Sequence, residues 1–227
     1  MLYENYEQVV ANVKKACERS GRNFQDITII AVSKTKPLSD VEELLSHGVM
    51  EFGENKVQEM VDKYEHVSKP VHWHLIGHLQ TNKVKYIVDK ACLIHSVDSV
   101  HLAKEIEKEA AKKGVVAKVL LEVNIAQEET KFGIREDEVY ALIDAIKDMP
   151  HVHVMTIAPF VENPEENRVY FRKMHQLSLD IKSKCIDNID MSVLSMGMTN
   201  DYEIAVEEGA TMIRVGTAIF GARNYNI

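Results

Sequence analysis

The sequence predicts an α/β fold, a single (β/α)8 TIM barrel spanning 1–227 as one domain, and three observations predict it. Short apolar runs alternate with helical patterns from one end of the chain to the other. No Pro/Gly/Ser-rich linker, low-complexity tract or shift of composition divides the 227 residues. The turn after the first apolar run reads Ser33-Lys34-Thr35, where the main rival, a doubly wound open sheet, usually carries a glycine-rich turn. Eight strands, each followed by a helix or near-helix, are what a closed barrel needs.

The opening helix covers 2–20, with Tyr6, Val9, Val10 and Val13 at helical spacing. A strand follows at 27–33. The next helix spans 39–46, with Ser39 as N-cap, Glu42 three residues on completing a capping box, and Gly48 as the stop. Further strands are expected at 49–52, 72–76, 91–95, 115–123, 152–157, 189–194 and 211–215. Helical patterns separate them near 56–66, 82–89, 99–113, 136–147, 165–184 and 200–208. The stretches 99–113 and 165–184 are the clearest, charged on one face and apolar on the other.

Composition narrows the function classes. Lys plus Arg total 27 against 35 Asp plus Glu, a net charge of -8, which argues against a nucleic-acid or anionic-membrane partner. Cys17, Cys92 and Cys185 form no CxxC, so neither a disulfide framework nor a zinc knuckle is signalled, and reduced thiols fit a cytoplasmic protein. The residues Met1 to Asn5 lack the basic and apolar regions of a secretory signal, and no run is long enough to span a bilayer.

The first strand carries the sharpest chemical signal. Alternation puts Ile30, Val32 and Lys34 on one face, and Ile29, Ala31 and Ser33 on the other. Lys34 is then the last residue aimed inward before Pro37 breaks the strand. A lysine held there sheds hydration, lowers its pKa and attacks a carbonyl as the free amine. The bland alternative is a lysine snorkelling out of a strand end.

Function in a barrel gathers at the carboxyl ends of strands. Those ends read Lys34; Gly53-Glu54-Asn55; Gly77-His78-Leu79-Gln80; Asn124; Met155; Ser195-Met196-Gly197-Met198; and Arg214-Val215-Gly216-Thr217. Gly216 and Thr217 open a short helix after the eighth strand, where backbone N–H groups make an anion site. Ser195 and Gly197, read as the end of strand 7, add a hydroxyl and an unobstructed N–H. Alternatively, Gly216 and Gly221 only turn the chain. Arg214 faces the same cavity as Lys34, and two cations there repel unless an anion lies between them or the lysine is covalently bound. A phosphorylated aldehyde meets both conditions. Lys34 would form a Schiff base, the loops after strands 7 and 8 would hold phosphate, and Arg214 would face a pyridine nitrogen without passing it a proton.

The stretches AVSKTKP at 31–37, FGEN and VQE within 52–59, and WHLIGHLQTNK at 73–83 lead a series of blocks. It continues with VN and TKFGI within 123–134, MTIAP at 155–159, LSMGM at 194–198 and RVGTAIFGAR at 214–223. On these the chain closely resembles the pyridoxal 5'-phosphate homeostasis proteins, a family similar to the barrel domain of alanine racemase. The resemblance implies pyridoxal 5'-phosphate (PLP) as cofactor, with Lys34 carrying the internal aldimine and Asn55 near the phenolic edge. It places Ser195, Gly216 and Thr217 on the phosphate, Arg214 at the ring nitrogen, and Met196 and Met198 against or beneath the cofactor. Lys36 is the competing lysine, but it lies past the strand end. Two positions depart from the family: Lys56, where many relatives resemble GENY, and His153, where glycine is expected.

Other polar groups are set aside. His72, His74 and His78 form an H-x-H-x3-H pattern, but no carboxylate or cysteine stands at compatible spacing, so no metal is expected. The weaker His151/His153 pair is read the same way. Glu59 reads as solvated, while Glu54 lies nearer the mouth and stays open as an acid or base. The lysines of 83–113 read as helix surface charge.

These readings predict a PLP carrier with no catalytic residues, which buffers the aldehyde and supplies recipient apo PLP-dependent enzymes. The resembled racemases take a second base from an additional β-domain of a dimer partner, and the sequence ends at Ile227, which predicts no such domain and a monomer. The alternative is an amino-acid racemase or other small PLP enzyme using Lys34. A third reading is a phosphate-sugar aldolase with a Schiff-base lysine.

Overall fold

The computed structural model describes residues 1–126, 132–158 and 165–222, with 153–158 as backbone alone. Seventeen elements alternate along the chain: α1 (Leu2–Ser20), β1 (Thr28–Val32), α2 (Leu38–Ser46), β2 (Glu51–Glu54), α3 (Val57–His66), β3 (His72–Leu75), α4 (Val84–Ile87), β4 (Ala91–Val97) and α5 (Val100–Lys113) in the first half. The second half holds β5 (Ala117–Glu122), α6 (Val139–Ile146), β6 (Val152–Ala158), α7 (Asn167–Ser183), β7 (Ser195–Met198), α8 (Tyr202–Glu207), β8 (Met212–Val215) and α9 (Thr217–Phe220).

The eight strands form one sheet in the order β6-β5-β4-β3-β2-β1-β8-β7. Every pairing is parallel. β6 and β7 are its edges, and no pairing between them is found among the described residues. The fold is therefore a parallel α/β half-barrel, and the closed ring expected from the sequence is not seen among the described residues. Helices cover one face, so strand residues alternate between two apolar surfaces. Ile29, Ala31, Trp73, Leu75, Val119, Leu121 and Ile213 pack in the large core beneath the helices. Ile30, Val32, Leu93, Leu120 and Met212 form a separate cluster on the concave side. The predicted alternation of β1 is the observed one. The curl is tight: His95 of β4 lies 3.2 Å from Ser195 of β7, though four strands separate them in sheet order.

Local chemistry explains the boundaries. Gly21 ends α1 in the left-handed region at φ 67, returning its N–H to Glu18 and Cys17 carbonyls. Ser99 caps α5 by accepting Leu102 N–H at 3.3 Å. The capping box expected at Ser39 is absent. α2 starts at Leu38 behind Pro37, and Glu42 instead accepts the N–H and hydroxyl of Ser68. Strand 7 is displaced furthest, from 189–194 to Ser195–Met198. The Thr211 hydroxyl takes the Leu194 N–H at 2.8 Å, so the ladder with β8 begins only at Ser195 opposite Met212.

Candidate cofactor site

Lys34 sits half-buried in the turn beyond β1. Lys36 N–H closes that turn onto Ser33 O at 3.1 Å, and Thr35 holds φ 64. A β-branched residue in the left-handed region is strained, and it persists only when its surroundings fix it. Here a brace from β2 and α3 does so. Glu59 accepts Thr35 N–H at 2.6 Å, and Lys63 donates to Ser33 O at 2.8 Å. Lys63 also pairs with Glu54 (2.7 Å) and Glu59 (2.9 Å), while Ser33 Oγ donates to Glu54 at 2.6 Å. Glu54 is fully buried, and burial lifts its carboxyl above the ordinary range despite Lys63 and Ser33. Neither glutamate is a solvated surface charge: both shape the turn that presents Lys34.

Arg214 lies on the concave face, its Cα opposite Ile30 of β1. It is buried, and desolvation lowers its pKa against the attraction of Glu122 and Asp201. Its Nη1 donates to Ser195 O at 2.9 Å and Ser195 Oγ at 2.7 Å. From Ser195 a chain of contacts crosses the hollow: Oγ to His95 Nδ1 at 3.2 Å, His95 Nε2 to His74 Nδ1 at 3.0 Å, and His74 Nε2 to Glu51 Oε2 at 2.7 Å. Burial, then His74 and Arg214, hold His95 well below the usual histidine range. At one end the Glu51 carboxylate accepts from His74, and at the other Ser195 accepts from Arg214, which has only protons to give.

Above Arg214 are the strand 7 and 8 ends. Gly216 precedes α9 and donates its N–H to Thr199 Oγ1 at 3.3 Å. Asp201 accepts Met198 N–H at 2.6 Å and the Asn167 amide at 2.7 Å, fixing the turn that carries Thr199. Thr217 is exposed at the start of α9, where first-turn N–H groups have no intrahelical acceptors. Glu122 ends β5, and alternation with Leu120 puts it on the concave face. Its Oε2 is buried without a hydrogen-bond partner among the described residues. Burial, then Asp98, pushes its carboxyl up to about 7, while Arg214 pulls the other way.

Lys34, Arg214, Gly216 and Thr217 stand in or just beyond the neighbouring strands β1 and β8, and half-buried Asn55 directly follows β2. Two need correction. Ser195 opens β7 instead of ending it, and its hydroxyl is engaged by Arg214 and His95. Met196 packs in the core beneath the helices, away from the concave face. Gly197 is required by packing: at φ 92, an added Cβ would stand 2.5 Å from Ala205 Cβ of α8. Lys36 is tied elsewhere, donating to Phe220 O (2.8 Å) and Ala222 O (3.2 Å). The departure Lys56 is exposed ahead of α3. The side chains of His153 and Met155, and parts of the TKFGI, MTIAP and RVGTAIFGAR blocks, lie outside the described residues.

Thr199, Glu122 and His95 escaped the sequence reading. Thr199 carried a signal, a hydroxyl directly after Met198, but it was masked by the misplaced strand. An amine at the rim, a buried permanent cation below it, and hydroxyl and N–H donors beside them suit a molecule with a carbonyl, an aromatic nitrogen and a phosphate.

The family described as alanine racemase, N-terminal domain, matches residues 5–224. The pyridoxal phosphate homeostasis protein of Aquifex aeolicus is 44% identical over 226 residues, covering 98% of each chain. The structure of PipY of Synechococcus elongatus PCC7942 with PLP bound is similar at TM-score 0.81 and 28% identity, covering 92% of this chain and 100% of that one. Alanine racemase of Clostridium difficile 630 shares the fold at TM-score 0.75 and 14% identity, over 99% of this chain and 60% of that one.

Proposed function

The chain belongs to the family of pyridoxal phosphate homeostasis proteins built on the alanine racemase N-terminal domain, and from that premise we propose that it binds PLP reversibly through Lys34, buffering and supplying the cofactor. The observation that most supports the reading is the pairing of a braced lysine turn after β1 with a buried arginine on the neighbouring strand β8. Ile30, opposite Arg214, stands four residues before Lys34, about 13 Å at the rise of a strand. Two long side chains and a pyridine ring bridge that span.

When bound, PLP supplies an electrophilic carbonyl carbon and an electron-withdrawing ring. Lys34 would offer its Nζ amine to that carbon, and the strained turn limits where the amine sits. Arg214 would donate to the ring nitrogen and, always charged, would have no proton to hand over. Thr199, Gly216, Thr217 and the backbone at Gly197 would hold the phosphate, and Asn55 would lie against the phenolic edge. Ser195 and His95 orient Arg214. The sheet closes from β6 to β7 as a full barrel, a closure supported by the His95–Ser195 contact. The protein acts as a single-domain, cytoplasmic monomer that is a carrier and not an enzyme, with apo PLP-dependent enzymes as recipients.

One observation favours a second reading, residual acid–base activity: Glu122 titrates near neutrality on the same face. Loaded protein incubated with L-amino acids in deuterated water separates the two. The carrier reading expects no α-proton exchange at catalytic rates. Steady exchange that Glu122→Gln abolishes would establish the enzyme reading in its place. Size exclusion should return a mass near 25.8 kDa, and a dimer would remove the monomer.

A further inference from the structure

At the opposite mouth of the curled sheet, the fold removes the reason for dismissing the histidine pair. His74 has no carboxylate or cysteine near it in sequence, yet Glu51 at the start of β2 and Cys92 in β4 are brought to its side. Each of the three offers one ligand atom, and these atoms all lie within 4.8 Å of one another. His74 is buried while Glu51 and Cys92 are partly exposed, so the cluster is held from within and open to solvent. His72 approaches from the solvent side, with Nδ1 2.6 Å from Glu51 Oε1. His78 takes no part and lies 3.7 Å from Asp98.

We propose that Glu51, His74 and Cys92 form a binding site for a thiophilic divalent cation of the zinc class, with His72 or water as the fourth ligand. The donor set is one carboxylate oxygen, one imidazole nitrogen and one sulfur. That mixture suits tetrahedral zinc or cobalt and suits poorly the all-oxygen shells of magnesium and calcium. Bond lengths of about 2.0–2.3 Å set tetrahedral ligand atoms roughly 3.5 Å apart, so the cluster needs to close by little more than an ångström. A thiolate and a carboxylate neutralise the dication, which suits a half-buried position.

The second shell is already built. His74 Nδ1 faces His95 Nε2 at 3.0 Å, which fixes the ring with Nε2 turned to the cluster. On binding, the Cys92 S–H bond breaks, sulfur keeps the electron pair for the metal, and the proton leaves to solvent. With Nε2 on the metal, His74 Nδ1 keeps its contact with His95. Before an ion arrives, burial and the Glu51 charge push the thiol up to about 12, so Cys92 is inert as a free nucleophile.

Titrating the full chain with cobalt(II), under a non-chelating reductant, tests this. The proposal expects one equivalent bound, with tetrahedral visible bands and a sulfur-to-cobalt charge-transfer band, displaced by one equivalent of zinc. Cys92→Ser should remove the charge-transfer band, and both Cys92→Ser and Glu51→Gln should weaken binding at least about tenfold, as loss of even an outer-shell partner does. A Cys17→Ser/Cys185→Ser double variant should leave every band in place. Wild type without bands, bands that survive Cys92→Ser, or bands lost in the double variant would each overturn the site. Circular dichroism of each variant guards against misfolding, and the test does not depend on PLP binding.

Discussion

Arg214 is buried and charged, and its guanidinium donates to the backbone and hydroxyl of Ser195, which a chain of contacts links on to His95, His74 and Glu51. Deleting the Ser195 hydroxyl removes one acceptor for the guanidinium and leaves His95 Nδ1 without a donor. Ser195→Ala should therefore cost about 1–3 kcal/mol in urea unfolding and also shift the absorption of PLP-loaded protein, a change that lost packing alone would not give. Glu122 makes a pH prediction. Its carboxyl ionises near 4.5 in the unfolded chain but near 7 in the fold. Between those values the folded state binds more protons, so the stability it contributes is complete below the first and lost as pH rises through the second. Glu122→Gln should flatten that decline, raising the Tm at pH 8 relative to the parent but not at pH 4.5, where 1 kcal/mol is about 2–4 °C at this length. The places of Lys34, Arg214, Gly216 and Thr217 in or just beyond β1 and β8 were legible because each sits beside its own motif. His95 and Glu122 were not, because their partners come from strands remote in sequence.

The brace beneath the Lys34 turn belongs to the scale of elements. Lys63 of α3 reaches under β1 and β2 with a side chain only 5% exposed. Lys63→Met would strip Glu54 of its counter-ion, and such a loss costs about 3–5 kcal/mol. It should also loosen the lysine turn, which a faster release of PLP from loaded protein would report. Gly197→Ala tests the seat of α8 against β7: the positive φ and the 2.5 Å approach to Ala205 predict a loss of about 1–3 kcal/mol. Most elements were readable from periodicity alone, with α1 matching residue for residue. Strand 7 was not, because the apolar run 189–194 buries Met191 and Leu194 without entering the ladder. Apolar content reports burial, and pairing depends on what the neighbouring strand offers, here the Thr211 hydroxyl.

For the whole molecule, eight parallel strands with helices on one face leave a concave side that is apolar in part and polar where function sits. The chain of contacts from Glu51 to Arg214 crosses that hollow from β2 to β8. The strand-helix alternation carried the fold class from the sequence, whereas ring closure depends on a β6–β7 pairing that no local pattern encodes. A surface at net -8 repels polyanions, consistent with a small-molecule ligand. The central claim is that Lys34, and not Lys36, holds PLP covalently. Borohydride reduction of PLP-loaded protein followed by peptide mass mapping tests it most directly. The account predicts the fixed pyridoxyl group on Lys34, its loss in Lys34→Ala and its retention in Lys36→Ala. A label on Lys36, or protein that takes up no PLP at all, would contradict it.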